Sequence, residues 1–460
     1  MRRRQLATST TSTSRVVALA VLLVGISLSL SALSASAAPP DSFSDVAATL
    51  KDTKASGKFD MYHWWTAGGE KEAIDAAIKV FESRYPNLKV VSNAIPGGAG
   101  GAMVMKVKVL ALAGNSPPTF QAHPGQELRP YYDAKMLYSL DELWKYAGLE
   151  KRTVKGLAEL CKVEGHYYVV PIGIHKTNMV FYNKKLFDQC GIKAPTGPVT
   201  WEQFWAICDQ LKAKLPKGKY PMDLGDRKSW PGTHVFETIM VGTDPKIYED
   251  FINGKATPAQ VKTVLDRLKK FMSYVAPDHS ARLWYEAAGR MVAGDYAMYL
   301  HGSWIQAFFE SQGWKYGEDW GAFPAPGTSD YFGLCVDAFV VPRGSNNPEA
   351  GLRWAYMCSD PTLQKEFCVA KKCVSPYKDT PVEVYDDLTK AFHDELLDPK
   401  MKVYPSFTHG ISLPWQALMD LQTRISDFCT TSDPDTTRYA NLITQALKEA
   451  GVKGEWSFGK

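Results

Sequence analysis

The chain has 460 residues, of which 12% are aromatic, and a formal net charge of +4. Four arginines within the first 38 residues account for the whole excess, so that the remainder carries 49 basic side chains (53 less four) and 49 acidic ones. This balance argues against a nucleic-acid or membrane-surface partner. A chain of about 420 residues is longer than a single hydrophobic core usually supports, which predicts two lobes.

The N-terminus has the pattern of a secretory signal peptide over residues 1–38. Arginines at positions 2–4 precede an apolar run from about Val16 to Leu30, and small residues at 34–38 supply a cleavage site. The apolar run is short for a membrane-spanning helix, and no cysteine stands near the cleavage site for a lipid anchor. We therefore expect a periplasmic or extracellular protein without a direct membrane anchor.

A polar lead-in segment, residues 39–57, is followed by a short alternating strand at Phe59–His63 and then by the motif WWTAGGE at 64–70. Apolar residues at 3–4 residue spacing predict a helix from about Glu70 to Tyr85. Ligands of open α/β sheets bind at the carboxyl ends of the strands. There an indole can cover the apolar face of a sugar, and a carboxylate can accept its hydroxyl hydrogens. A core tryptophan pair followed by a helix-capping glutamate is the alternative.

A second strand at Leu88–Ser92 completes a right-handed βαβ unit. After a glycine-rich loop and a helix at Met103–Ala113, a third strand is predicted to end near Gln121 and His123. These two side chains are two residues apart and point the same way on an extended backbone. We therefore expect both to contact a ligand, with solvated loop positions as the alternative.

The next strand, Tyr167–Val170, leads into PIGIHKTN at 171–178, which we interpret as a first crossing between the lobes. Thr200 is predicted to cap a helix together with Gln203 in a capping box. The middle of the chain is predicted to be mostly helical to about residue 309, with tryptophans at 230, 284 and 304.

A second crossing is predicted at Gly321–Gly327 and a third near Lys371–Pro376. A strand is predicted between them at Cys335–Val341. Asp337 lies within this strand between apolar neighbours, where a carboxylate is costly unless it is paired or binds a ligand. We favour a ligand-binding role over a satisfied structural aspartate. A helix from Pro348 to Met357 and a helical C-terminal part complete the chain.

The eight cysteines include no CxxC pair, which excludes zinc-ribbon and thioredoxin readings. Cys368 and Cys373 are the one close pair, and the pairing of the eight stays open. Neither a His-Glu-x-x-His helix nor a Gly-x-Ser-x-Gly elbow occurs. We therefore expect no catalytic residues, no metal and no cofactor.

These motifs resemble those of a known family. WWTAGGE, PPTFQAHPGQEL at 117–128, PIGIHKTN and VDAFVVPRG at 336–344 are similar to segments of the extracellular solute-binding proteins of ABC sugar importers, most closely their periplasmic glucose-binding branch. The chain departs from the family signature at Gln189, where an acidic residue, Lys or Asn is usual. It also reads Lys371-Lys372-Cys373-Val374 where the glucose branch has Lys-Gly-Ser-Ile.

The resemblance implies an α/β, two-lobe periplasmic-binding-protein (Venus-flytrap) fold with a ligand cleft between the lobes. The N-terminal lobe would comprise residues 58–172 and 324–372, and the C-terminal lobe residues 173–323 and 373–460. It also implies a set of twelve sugar-binding side chains: Trp64, Trp65, Glu70, Gln121, His123, His175, Asn178, Trp284, Trp304, Asp337, Lys371 and His409.

The function implied is capture of a monosaccharide, glucose or a close aldohexose, by a monomeric protein that delivers it to ABC permease subunits. A binding protein that also serves a chemoreceptor would have the same fold. The alternative from another class is an exported glycoside hydrolase that uses Glu70 and Asp337 as its carboxylate pair.

Overall fold

A computed structural model of the chain describes residues 42–97 and 101–458. The predicted signal peptide and the first residues of the lead-in segment lie outside the described residues. In the described part, the lead-in segment forms a helix that buries Val46 and Leu50. No helix of this part is long and apolar enough to cross a membrane.

Helices and strands are interspersed along the chain. The strands are β1 Gly57–His63, β2 Leu88–Ala94, β3 Thr119–Ala122, β4 Lys162–Val163, β5 His166–Tyr167, β6 Val169–Lys176, β7 Met179–Asn183, β8 Tyr220–Met222, β9 Tyr296–His301, β10 Trp320–Pro324, β11 Tyr331–Val340 and β12 Lys402–Pro405. The helices are α1 Val46–Lys51, α2 Gly69–Arg84, α3 Gly101–Leu112, α4 Arg129–Asp133, α5 Asp141–Ala147, α6 Leu149–Arg152, α7 Leu157–Leu160, α8 Lys184–Gln189, α9 Trp201–Lys214, α10 Trp230–Thr243, α11 Pro245–Ile252, α12 Pro258–Met272, α13 Trp284–Val292, α14 Ile305–Ser311, α15 Pro348–Met357, α16 Pro361–Lys371, α17 Asp387–Leu397, α18 Trp415–Thr430 and α19 Thr436–Glu449.

The first sheet has six strands and contains the predicted βαβ unit. Strands β2, β1 and β3 are parallel neighbours, and β3 lies antiparallel to β11. The long strand β11 also pairs with β12 in parallel and with β6 in antiparallel orientation. Because β1 and β3 run in the same direction, the motif at 64–70 and His123 follow strand ends at one edge of this sheet.

The second sheet has four strands in the order β10-β7-β9-β8, and β4 and β5 form a separate hairpin. Helices α9, α10, α12, α18 and α19 supply apolar side chains to a core on this sheet. The capping box predicted at Thr200 is present, since the Thr200 hydroxyl accepts from the Gln203 N–H while the Gln203 side chain accepts from the Thr200 N–H.

The chain passes from the first sheet to the second between β6 and β7, at residues 177–178, and returns between β10 and β11. The predicted crossing at 171–178 is mostly strand, because β6 pairs with β11 as far as Lys176. Val374 bridges Ile174, and β12 pairs with β11, so both stay with the first sheet. The first sheet therefore includes residues 173–176 and 402–405, which fall within the ranges predicted for the C-terminal lobe.

Candidate functional site

Ten of the twelve predicted side chains line one cavity. Its volume is about 30 Å³, room for about two water molecules rather than for a sugar. The lining combines indoles, imidazoles and charged groups and consists of Trp64, Trp65, Glu70, His123, His175, Trp230, Trp284, Trp304, Cys335, Asp337, Lys371 and His409. Each of these residues is at most 7% exposed, so the site is largely closed in this structure.

The two glycines of the motif set the start of α2. Gly68 has a φ of 43°, a left-handed conformation that glycine adopts readily. Gly69 packs against α14, and a Cβ atom placed on it would lie 2.7 Å from the carbonyl oxygen of Ala307. The absence of a side chain therefore lets the first turn of α2, which carries Glu70, meet a helix that follows strand β9 of the second sheet.

Glu70 and Lys371 form a buried ion pair at the cavity. Lys371 Nζ donates to Glu70 Oε1 over 2.8 Å, and the ammonium also lies 5.5 Å from the centre of the Trp65 ring. Burial raises the pKa of Glu70, although Lys371 opposes this shift. For Lys371, burial acts to lower the pKa, but Glu70 and Asp337 together outweigh burial and raise it. Lys371 is therefore charged. Its ion pair with Glu70 connects the last turn of α16 to the first turn of α2.

Asp337 enters the cavity from β11 at a register shift. The pairing of β11 with β6 changes register between Asp337 and Ala338, and such bulges re-aim side chains. Gln121 Nε2 donates to Asp337 Oδ1 over 2.9 Å, while Gln121 Oε1 accepts from the Trp64 N–H. Burial raises the pKa of Asp337, and Lys371 opposes this shift. Gln121 does not line the cavity. It holds the Asp337 side chain and the Trp64 backbone in place through these two hydrogen bonds.

His123 stands behind Trp64, with ring centres 4.8 Å apart. Its Nδ1 lies 2.7 Å from Glu127 Oε2. Burial acts to lower the pKa of His123, but the charge and the hydrogen bond of Glu127 outweigh burial and raise it. Because a protonated imidazole donates from both nitrogens, the raised pKa favours the form in which His123 acts as a donor.

The opposite wall consists of Trp284 and Trp304. The Trp304 Nε1–H donates to His301 Nε2 over 2.9 Å, and the Trp284 ring stacks on His301 at 5.4 Å. A Cβ atom on Gly302 would overlap the Trp304 ring at 2.1 Å, so only glycine leaves room for this indole. Both rings are held by contacts of their own and offer fixed apolar faces.

His175 and His409 are neutral donors or acceptors in the cavity wall. His175 Nδ1 contacts Ser303 Oγ at 3.0 Å, and its buried Nε2 makes no hydrogen bond among the described residues but lies 3.6 Å from Asp337 Oδ2. His409 Nδ1 contacts Ser406 Oγ at 2.7 Å. Burial lowers the pKa of both imidazoles well below the ordinary value. A free imidazole nitrogen in a buried wall is a place for a ligand hydroxyl.

Asn178 is the second predicted residue that does not line the cavity. Its amide donates to the Tyr331 carbonyl over 2.8 Å and its oxygen accepts from the Gly333 N–H over 2.8 Å, so it holds the second crossing. Two lining residues were not predicted, Trp230 and Cys335. The Trp230 ring faces His409 at 5.9 Å from the first turn of α10.

The fold and the cavity define a ligand-binding protein of the α/β class, with a small polar and aromatic site between its two main β-sheets. Comparisons with known proteins agree. The family model for bacterial extracellular solute-binding proteins matches residues 66–361. An ABC transporter extracellular-binding protein of Pyrococcus horikoshii is 38% identical over 402 residues, covering 86% of this chain and 89% of the relative.

Two further similarities are more distant. A glucose-binding protein of Saccharolobus solfataricus is 23% identical over 346 residues, covering 69% of this chain and 60% of that protein. A solved structure of a bacterial solute receptor with an exclusive substrate preference for β-D-galactopyranose aligns with a TM-score of 0.73 at 19% identity, covering 86% of this chain and 99% of the receptor.

The chain belongs to the bacterial extracellular solute-binding protein family. The predicted α/β periplasmic-binding-protein fold is confirmed. The protein is a solute-binding protein and not an enzyme, so the glycoside hydrolase alternative does not hold. The carboxylates that this alternative required are engaged within the protein, Glu70 with Lys371 and Asp337 with Gln121.

Proposed function

We propose that this protein binds a monosaccharide, glucose or a close aldohexose, and delivers it to the permease subunits of an ABC importer. The observation that carries this proposal is the composition of the cavity wall. Indoles on both sides can cover the two faces of a pyranose ring, and Glu70, Asp337, His123 and Lys371 can bind its hydroxyl groups.

The burial of the site favours one sugar ring over an oligosaccharide. All of the residues that line the cavity are buried, so that a bound ring would be enclosed on several sides. The names of two similar proteins, one glucose-binding and one with a preference for galactose, agree with a hexose.

The sugar would enter through an opening movement of two lobes built on the two sheets. Glu70, His123 and Asp337 are attached to the first sheet, whereas Trp284 and Trp304 stand beside β9 of the second. A ligand that contacts both groups stabilises the closed state. The permease would then recognise the closed form, and the protein would act as a monomer in the periplasm or outside the cell.

A thermal-shift screen of residues 39–460 tests this function. We expect D-glucose, galactose or mannose to raise the melting temperature, because a ligand that binds only the native state must stabilise it. Pentoses, maltodextrins and amino acids serve as the comparison set. A clear shift with maltodextrins or amino acids, and none with any hexose, would overturn the monosaccharide assignment.

A further inference from the structure

The two cysteines that flank the end of α16 have adjacent sulfur atoms. Cys373 Sγ lies 3.6 Å from Cys368 Sγ, and both side chains are 1% exposed. The helix ends at Lys371, and Lys372 takes the left-handed conformation that reverses the chain, with a φ of 54°. The reversal brings residues five apart in sequence side by side, and no other pair of thiols in the described part of the chain is in such contact.

The surroundings leave room for these sulfur atoms. A Cβ atom on Gly173 of β6 would lie 2.9 Å from Cys373 Sγ, so this glycine provides the space that the thiol occupies. A disulfide bond is about 2.05 Å long. The two sulfur atoms would have to approach by about 1.5 Å.

We propose that Cys368 and Cys373 are joined by a disulfide bond in the exported protein, and that this bond fixes the turn that presents Lys371 to the cavity. The inference rests on the export included in the proposed function, since disulfides form and persist in oxidising compartments. The bond encloses Lys371, whose Nζ lies 2.8 Å from Glu70 Oε1.

The bond forms by thiol–disulfide exchange with an oxidised disulfide reagent, either a protein oxidant or a small disulfide. One cysteine thiolate attacks a sulfur of the oxidant and releases a thiolate, and the second cysteine thiolate then displaces the remaining oxidant sulfur. The two cysteines lose two protons and two electrons, and the oxidant disulfide becomes two thiols. Burial raises the pKa of Cys368 well above its ordinary value, so the exchange belongs to folding, before the helix end is packed.

Counting free thiols tests the bond directly. The protein is exported into the periplasm of a host cell, purified without reductant, denatured and alkylated, and its mass is measured. We expect six of the eight cysteines to be alkylated before reduction and all eight afterwards, with Cys368 and Cys373 as the protected pair in peptide mapping. Eight alkylated cysteines before reduction, or a protected pair elsewhere, would overturn the proposal.

A second measurement tests the consequence for the fold. Reductant is expected to lower the melting temperature of the native protein by about 2–3 °C, and the variant with both Cys368→Ala and Cys373→Ala should not respond to it. Cys208→Ala, at another buried thiol, should keep the response. Hexose binding is measured in parallel. A protein with the bond and no hexose binding would contradict the proposed function alone, whereas hexose binding with eight free thiols would contradict the bond alone.

Discussion

The Nζ atom of Lys371 lies 2.8 Å from Oε1 of Glu70, and this ion pair joins the last turn of α16 to the first turn of α2. Both side chains are largely removed from solvent, Lys371 to 1% and Glu70 to 9% exposure. A buried charge whose partner is removed is strongly destabilising, because nothing replaces the lost water.

Lys371→Met is therefore expected to lower the free energy of unfolding by about 3–5 kcal/mol and to abolish tight sugar binding. Adding Glu70→Gln to this variant should restore much of the stability, since position 70 then carries no unpaired charge, but not the binding. Urea denaturation and calorimetry measure the two effects. Lys71→Met, which breaks the exposed pair with Asp75, is the control and should leave both unchanged. Equal stability of Lys371→Met and the native protein would contradict a buried pair.

Gln121 is expected to act on sugar binding through Asp337. Gln121→Leu leaves Asp337 Oδ1 and the Trp64 N–H without their partners, which should weaken hexose binding by about 1–3 kcal/mol, or roughly 5–150-fold. Asp337→Asn should weaken it by a similar amount, because a charge-assisted acceptor is lost. Calorimetric titration with the preferred hexose provides the measurement.

Asn93→Leu is the matched control for Gln121→Leu. Asn93 Nδ2 donates to Asp60 Oδ1 over 2.8 Å, an amide–carboxylate bond of the same kind at an exposed position of the same sheet. Its loss should leave hexose affinity unchanged. If Gln121→Leu also binds the hexose with native affinity, Asp337 does not depend on Gln121 and the proposed positioning role fails.

The sequence was informative where a local pattern determines structure. The strand before the WWTAGGE motif, the helix that follows it and the capping box at Thr200 all depend on residues within a few positions of each other. Trp230 was not identified as a lining residue, because it lies in no motif and only the packing of distant elements brings it to the cavity. Cys335 lies two residues before Asp337 on the same strand, so alternation could have placed its side chain on the same face. Gln121 shows the same limit: alternation gives the face of a strand, but not the distance from a side chain to the ligand.

Two residues on one face of α10 are expected to affect the pH dependence of stability in opposite directions. Burial lowers the pKa of His234 from 6.5 to about 4. Between these values the unfolded chain binds a proton that the folded chain does not, so the free energy of unfolding falls as pH falls. Burial raises the pKa of Glu237 from 4.5 to about 7, so the folded chain holds the extra proton and its contribution falls as pH rises.

His234→Gln should therefore flatten the acid-side slope of stability against pH by about 1.4 kcal/mol per pH unit between pH 4.5 and 6. Glu237→Gln should steepen the same slope by a similar amount. Urea denaturation at several pH values measures both. The sign of the change identifies each group even if either variant is less stable at every pH. Parallel stability curves for the two variants and the native protein would contradict these protonation states.

Closure of the cavity is expected to depend on the contact between Gly69 and Ala307. Gly69 packs against Ala307 with no room for a methyl group, since a Cβ atom would lie 2.5 Å from the Ala307 Cβ and 2.7 Å from its carbonyl oxygen. Gly69 belongs to the helix after β1 and Ala307 to the helix after β9, so the contact joins elements of the two proposed lobes. Gly69→Ala should therefore oppose the closed state and weaken hexose binding by about 1–3 kcal/mol, or roughly 5–150-fold.

X-ray scattering with and without the hexose measures the movement. The native protein should have a smaller radius of gyration with sugar, because a ligand that contacts side chains of both proposed lobes stabilises the closed state. Gly69→Ala should keep the larger radius at sugar concentrations that close the native protein. Gly289→Ala is the control and should behave as the native protein does, since a Cβ atom there meets its nearest neighbour at an ordinary 3.7 Å.

If Gly69→Ala binds the hexose with native affinity and reaches the smaller radius of gyration, the contact between Gly69 and Ala307 does not affect closure. Tight hexose binding by the native protein without a change in radius would require a site that admits sugar while closed, and the two-lobe movement would then be abandoned.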